Sequence, residues 1–302
     1  MKAQQMIGNI LATIELALVI AIVPAVHAQG TVTLTHVHGL GFSADGRELV
    51  IPSHGGFAIY SGGRWSKAAG PEHDYMGFVA TKRSYYSSGH PAPGSGLVNP
   101  LGIVRSDDGG KTWTKLGLEG QSDFHLMAAS YATNTVYVYN AAPNVRMDKP
   151  GLFYTLNDGV AWRRADAAGL DGRIQALAVH PTDPNTVAAG TSTGLFVSIN
   201  AGAQFKQILS GAQVPGLMFD HDGTMLWAST VDRSAHLLRV DWKSGQKTEL
   251  GLPALGQDPV AYIAASPTKP NEFAIATFER SVYMSDDRGS TWKQIADRGR
   301  TF

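Results

Sequence analysis

A short pattern recurs along this chain, and it narrows the possible folds more than any other feature. Residues 106–113 read SDDGGKTW and residues 285–292 read SDDRGSTW, both of the form S-x-D-x-G-x-T-W. Two looser copies lie at 155–162 (TLNDGVAW) and 198–205 (SINAGAQF), and a truncated one spans 61–65 (SGGRW). The anchoring aromatics, at positions 65, 113, 162, 205 and 292, recur about every 45 residues with one copy skipped. Thr248, in the strand-like run KTEL, sits where the missing copy belongs. Each copy has the chemistry of a tight hairpin turn. A Ser or Thr hydroxyl and an Asp or Asn cap the local backbone, and a Gly accepts positive φ. The aromatic then packs the turn onto its sheet.

Each unit also holds four short β-rich runs; in the fourth unit these are 174–179, 186–189, 194–198 and 205–209. Four strands per repeat of this length predict a propeller blade. The expectation is therefore an all-β chain forming a six-bladed β-propeller of four-stranded blades over residues 29–302, one domain in all. A solenoid or a two-domain sandwich is the competing use of such a repeat. Both terminal units own four strands, so closing the ring requires no exchanged strand.

The turns resemble the Asp-box, or BNR, repeats of sialidases and of glycosyl-hydrolase-like propellers. That resemblance implies that the turns are structural and lie on the face opposite the usual active site. The segments 36–40 (HVHGL), 88–91 (SGHP) and 123–125 (DFH) further resemble a bacterial exported subfamily labelled glycosyl hydrolase. An active glycoside hydrolase on some glycan is thus one expectation. Sialidases carry an Arg-Ile-Pro motif in an opening strand, and 36–40 has none, so a typical sialidase is not expected.

Composition excludes several other classes. The 302 residues hold 25 Lys and Arg against 25 Asp and Glu, which leaves no basic excess for nucleic acid. No cysteine is present, so disulfides, thiol nucleophiles and thiolate metal sites are ruled out, and any metal must be held by His, carboxylate or Met. At the start of the chain, Lys2, the apolar run 16–23 (LALVIAIV), Pro24 and the small residues before Gln29 read as a secretory signal peptide over 1–28. The expected mature protein is a periplasmic or secreted monomer that is not membrane-bound after cleavage.

Strand direction alternates within a blade, so the loop entering the first strand and the loop joining the second to the third emerge on one face, the top. His36, His38, Asp74, Asp123 and His125 fall in or beside the first kind of loop, and His54 and His90 in the second kind. Residues two apart on a strand share a side, which places His38, Asp74, His125 and Gln175 around the top rim of the central channel. Leu40, Met76, Met127 and Leu177 come one step deeper. His180 and His221 fall in bottom turns.

Two imidazoles and a carboxylate form a recognised facial metal set, and His38, His125 and Asp74 are the candidate ligands for Zn, Cu or Fe. Met76 and Met127 either fill the channel as Leu40 and Leu177 do, or soften the site toward copper. A hydrolase would take Asp74, Asp123 and His125 as its catalytic groups, since glycoside cleavage commonly needs paired carboxylates. His36, His54, His90, Arg173 and Arg280 are the candidate ligand-binding residues. Asp232, Asp258, Glu279, Arg233 and Tyr262 are further top-face candidates. The expected partner is a glycan, a metal ion or another envelope protein.

Overall fold

The structure is a computed structural model that describes residues 32–302. The signal peptide expected at 1–28 lies outside them. The described chain forms strands and no helix, arranged in six antiparallel sheets built in chain order over 41–67, 74–117, 127–164, 174–210, 213–250 and 260–301. Five sheets have four strands and the last has five. The innermost strands are Gly41–Phe42, Asp74–Ala80, Met127–Ala129, Ile174–Val179, Gln213–Phe219 and Val260–Ala265. Each touches the next, and the sixth touches the first, so the sheets close into a six-bladed β-propeller.

The repeated turns explain why this sequence makes blades. In the second blade Ser106 Oγ donates to Asp108 Oδ1 at 2.8 Å and accepts the Gly110 amide at 2.8 Å. Asp108 in turn accepts the Thr112 amide at 2.9 Å and its hydroxyl at 2.6 Å. The same bonds form around Ser285, Asp287, Gly289 and Thr291 in the sixth blade. The looser copies keep the backbone part of the network, through Thr155 and Asn157 and through Ser198 and Asn200. These hydrogen bonds hold Asp108 and Asp287 down to about 2, well below an ordinary carboxyl. The copy at 61–65 instead makes a two-residue turn through Gly62 and Gly63, both at positive φ.

Middle strands such as Leu49–Ser53, Val187–Thr191, Gly194–Ser198 and Phe273–Thr277 are buried at every position, on both faces, so the core lies between blades rather than within one. Between the sixth and first blades, Leu34, Ile51, Ala58, Val282 and Ile295 pack together, and the Trp65 indole donates to the Ile295 carbonyl at 3.0 Å.

Ring closure differs from the expectation in one respect. The sixth blade does own four strands, yet the segment 32–35 is laid along its edge. Lys293–Asp297 is followed by a fifth strand, Arg300–Thr301, and Thr33 bridges Arg300 in antiparallel fashion. The Leu34 amide donates to the Gly299 carbonyl at 2.8 Å, and the Thr301 hydroxyl donates to the Val32 carbonyl at 2.5 Å. This strap then leads directly into His36 and His38.

Candidate functional site: a histidine cluster at the channel mouth

The segment that follows the strap is extended, and the His38 amide donates to the Pro52 carbonyl at 3.2 Å, which pins it beside the hairpin carrying His54. Two histidines separated by one residue on an extended segment project to one side. His54 comes from the loop between the second strand, Leu49–Ser53, and the third, Gly56–Ser61. The three rings stack nearly parallel, with centroids 3.9 Å apart for His36 and His54, 5.0 Å for His38 and His54, and 5.4 Å for His36 and His38. One ligand nitrogen from each lies within 4.8 Å of the other two.

Asp74 stands beside this group, its Oδ1 3.8 Å from His54 Nε2. Both Asp74 Oδ1 and His38 Nε2 are buried without a hydrogen-bond partner in the protein. Burial pulls His38 down to about 4, and the neighbouring imidazoles add to that against the opposing charge of Asp74. A neutral His38 at neutral pH keeps a lone pair for a metal ion or a proton donor.

A second cluster adjoins the first. Asp123 Oδ2 lies 2.7 Å from His125 Nε2 and 3.2 Å from His90 Nε2, so one carboxylate ties the second and third blades together. The hydrogen bond to Asp123 raises the His125 pKa above its ordinary value, against the opposing effect of burial. His90 Nδ1 also meets Asn99 Oδ1 at 2.7 Å, a contact from a long loop that gave no sequence signal. Asp123 Oδ1 is buried and unpartnered.

Below the clusters runs a central channel of about 680 Å³, with His38, His125, Arg173 and Gln175 at its mouth and Met76, Met127, Leu40 and Leu177 on its walls. Tyr131 and His221 meet at the lower end, their ring centroids 4.3 Å apart.

The sequence reading thus brings His36, His38, His54, His90, His125, Asp74 and Asp123 to one face. Three placements differ from it. The group whose ligand nitrogens converge is His36, His38 and His54, which shares only His38 with the expected His38, His125 and Asp74; His125 pairs through Nε2 with Asp123. Asp74 does not line the channel, because a bulge between Tyr75 and Gly77 breaks the two-residue alternation at Met76. Of the two arginines, Arg173 reaches the mouth, whereas Arg280 donates through Nη1 to the Thr35 carbonyl at 2.9 Å and so anchors the strap. Asp258 accepts the Glu279 amide, and Asp232 and Arg233 share a turn of the fifth blade.

No protein-family model matches this chain, and no curated protein matches its sequence. Solved structures are similar to it in fold. The GH74 xyloglucanase of Xanthomonas campestris superposes with a TM-score of 0.55 at 16% identity, over 89% of this chain and 46% of that one. The extracellular domain of the putative one component system BT4673 from B. thetaiotaomicron gives 0.55 at 16%, over 89% and 34%. The β-propeller domain of Cps50 (Swd1) from a Myceliophthora species gives 0.55 at 14%, over 87% of both chains. This chain spans less than half the length of the xyloglucanase and about a third of the BT4673 domain. At these identities the likeness is one of fold: a β-propeller shared with the xyloglucanase, the BT4673 extracellular domain and Cps50.

Proposed function

We propose that this is an exported propeller that binds a transition-metal ion at the mouth of its channel through His36, His38 and His54, with Asp74 as the adjoining carboxylate. The observation that carries the reading is the convergence of three ligand nitrogens within 4.8 Å, beside two buried polar atoms that no protein group satisfies. Buried unpartnered groups in a native fold call for an explanation, and an ion or its bound water supplies one. Three imidazoles leave a coordination position open for water or a ligand, as in mononuclear sites that work rather than merely brace a fold. The repeated turns are then Asp boxes of the BNR type, holding the scaffold from the opposite face.

The test is elemental analysis of protein purified without chelating resin, together with melting curves with and without added Zn(II) or Cu(II). A stoichiometric ion, or stabilisation of about 2.7 kcal/mol at a hundredfold excess over Kd, is expected. The His54→Ala variant should lose both. Metal-free protein that no ion stabilises would overturn the reading.

A second reading, glycoside hydrolysis, is favoured by one observation: Asp74 and Asp123 each present a buried, unpartnered oxygen near the mouth. Glycosidases need such paired carboxylates. Release of reducing sugar from a glycan panel, abolished by Asp74→Asn and Asp123→Asn, would establish it; no release by the wild type would dismiss it.

A further inference from the structure

Resting on the metal-binding reading, we propose that the ion is copper, and that the thioethers of Met76 and Met127 give the histidine group a soft side that takes Cu(I). The argument begins with how closely the inner strands approach. A Cβ at Gly39 would lie 2.9 Å from Phe78 Cβ, and one at Gly41 would lie 2.8 Å from Ala80 Cβ. Segment 39–41 therefore runs directly alongside 78–80, which leaves His38 and Met76 just beyond the mouthward end of that contact. On its other side, a Cβ at Gly77 would lie 2.8 Å from Met127 Sδ, so the Met127 sulfur is folded over the second blade next to Met76.

Met76 is the bulged residue of its strand, and bulges re-aim side chains. It faces the channel along with His38, His125 and Met127. The channel therefore brings the imidazoles of His38 and His125 and the thioethers of Met76 and Met127 into one concavity, with His36 and His54 stacked beside His38. Soft thioethers select Cu(I), while imidazoles bind Cu(II) more tightly than the other divalent ions of the first row. The thioethers therefore favour Cu(I) over the harder divalent ions. Leu40 and Leu177, which the sequence sets at the same step, have no donor atom, and the further thioether that lines the channel, Met218, belongs to the fifth blade.

The experiment measures three affinities on the full protein: Cu(II) and Zn(II) by calorimetry, and Cu(I) by anaerobic competition with a chromogenic Cu(I) chelator. The variants are Met76→Leu, Met127→Leu, their combination and His54→Ala. The double variant should lose Cu(I) affinity by roughly tenfold or more, as expected when donor atoms around a metal are removed, while its Zn(II) affinity holds. X-ray absorption of wild-type protein loaded with Cu(I) provides a readout independent of variant folding, and it should contain a sulfur shell. A Cu(I) site without sulfur, or one indifferent to both methionines, overturns the copper assignment and leaves the histidine reading standing. Failure of the wild type to bind any of the three ions overturns both.

Discussion

At the scale of single residues, stability rests on short side chains that satisfy the backbone. Ser285 both donates to Asp287 and accepts the buried Gly289 amide, so Ser285→Ala strands a buried donor. The expected cost is about 1–3 kcal/mol by urea denaturation. The adjoining Arg288 sits at positive φ, 61°, a conformation tolerated only because this network holds it. His38 supplies a pH signature. Its folded pKa is depressed to about 4 from the usual 6.5, so between those values the unfolded chain binds a proton that the native chain does not. Stability is complete above about 6.5 and declines as pH falls toward 4. A His38→Gln variant should lose less stability than wild type between pH 7 and pH 4.5 in metal-free buffer. His125 works the opposite way: raised by Asp123, its contribution is present at low pH and disappears as pH climbs through the raised value.

At the scale of elements, the strap and the close-set inner strands decide the geometry of the mouth. Leu34 is fully buried between the sixth and first blades, and Leu34→Ala is expected to cost about 2–5 kcal/mol through the cavity it leaves, read from the denaturation midpoint. Gly39 lets the first two blades approach. In Gly39→Ala the new methyl meets Phe78 and must spread the mouth, so metal affinity should fall along with melting temperature. Gly55→Ala serves as the control, since a Cβ there meets nothing within 4 Å. Much of this level was legible in the sequence, because the turns announce themselves through Ser, Asp, Gly and Trp at fixed spacing. The strap was not. Residues 32–35 (VTLT) do alternate apolar and polar, with Val32 and Leu34 buried, but that pattern marks a strand without saying which sheet edge it joins.

Across the whole molecule, the repeat made the ring readable, and strand alternation then brought seven of the expected site residues to one face. What the sequence could not resolve was which of them meet. His125 and Asp123 lie two residues apart, close enough to satisfy one another, and that local pairing withdraws His125 from the cluster on the first blade. The bulge at Met76 is a backbone event with no side-chain marker, so the displacement of Asp74 was equally hidden. Arg280 looked like a top-face cation by register, and it serves the seam because Thr35 passes within its reach.

That seam has a mechanical meaning. Val32 and Thr301 lie side by side at the same end of an antiparallel pairing, so tension applied through these two residues would part the contacts one after another, as a zipper opens. Anywhere else around the circumference, the same force has to slide whole strands past each other. The weak meridian of the ring therefore runs straight to His36, and stretching the protein would disturb the stacked histidines before any blade came apart.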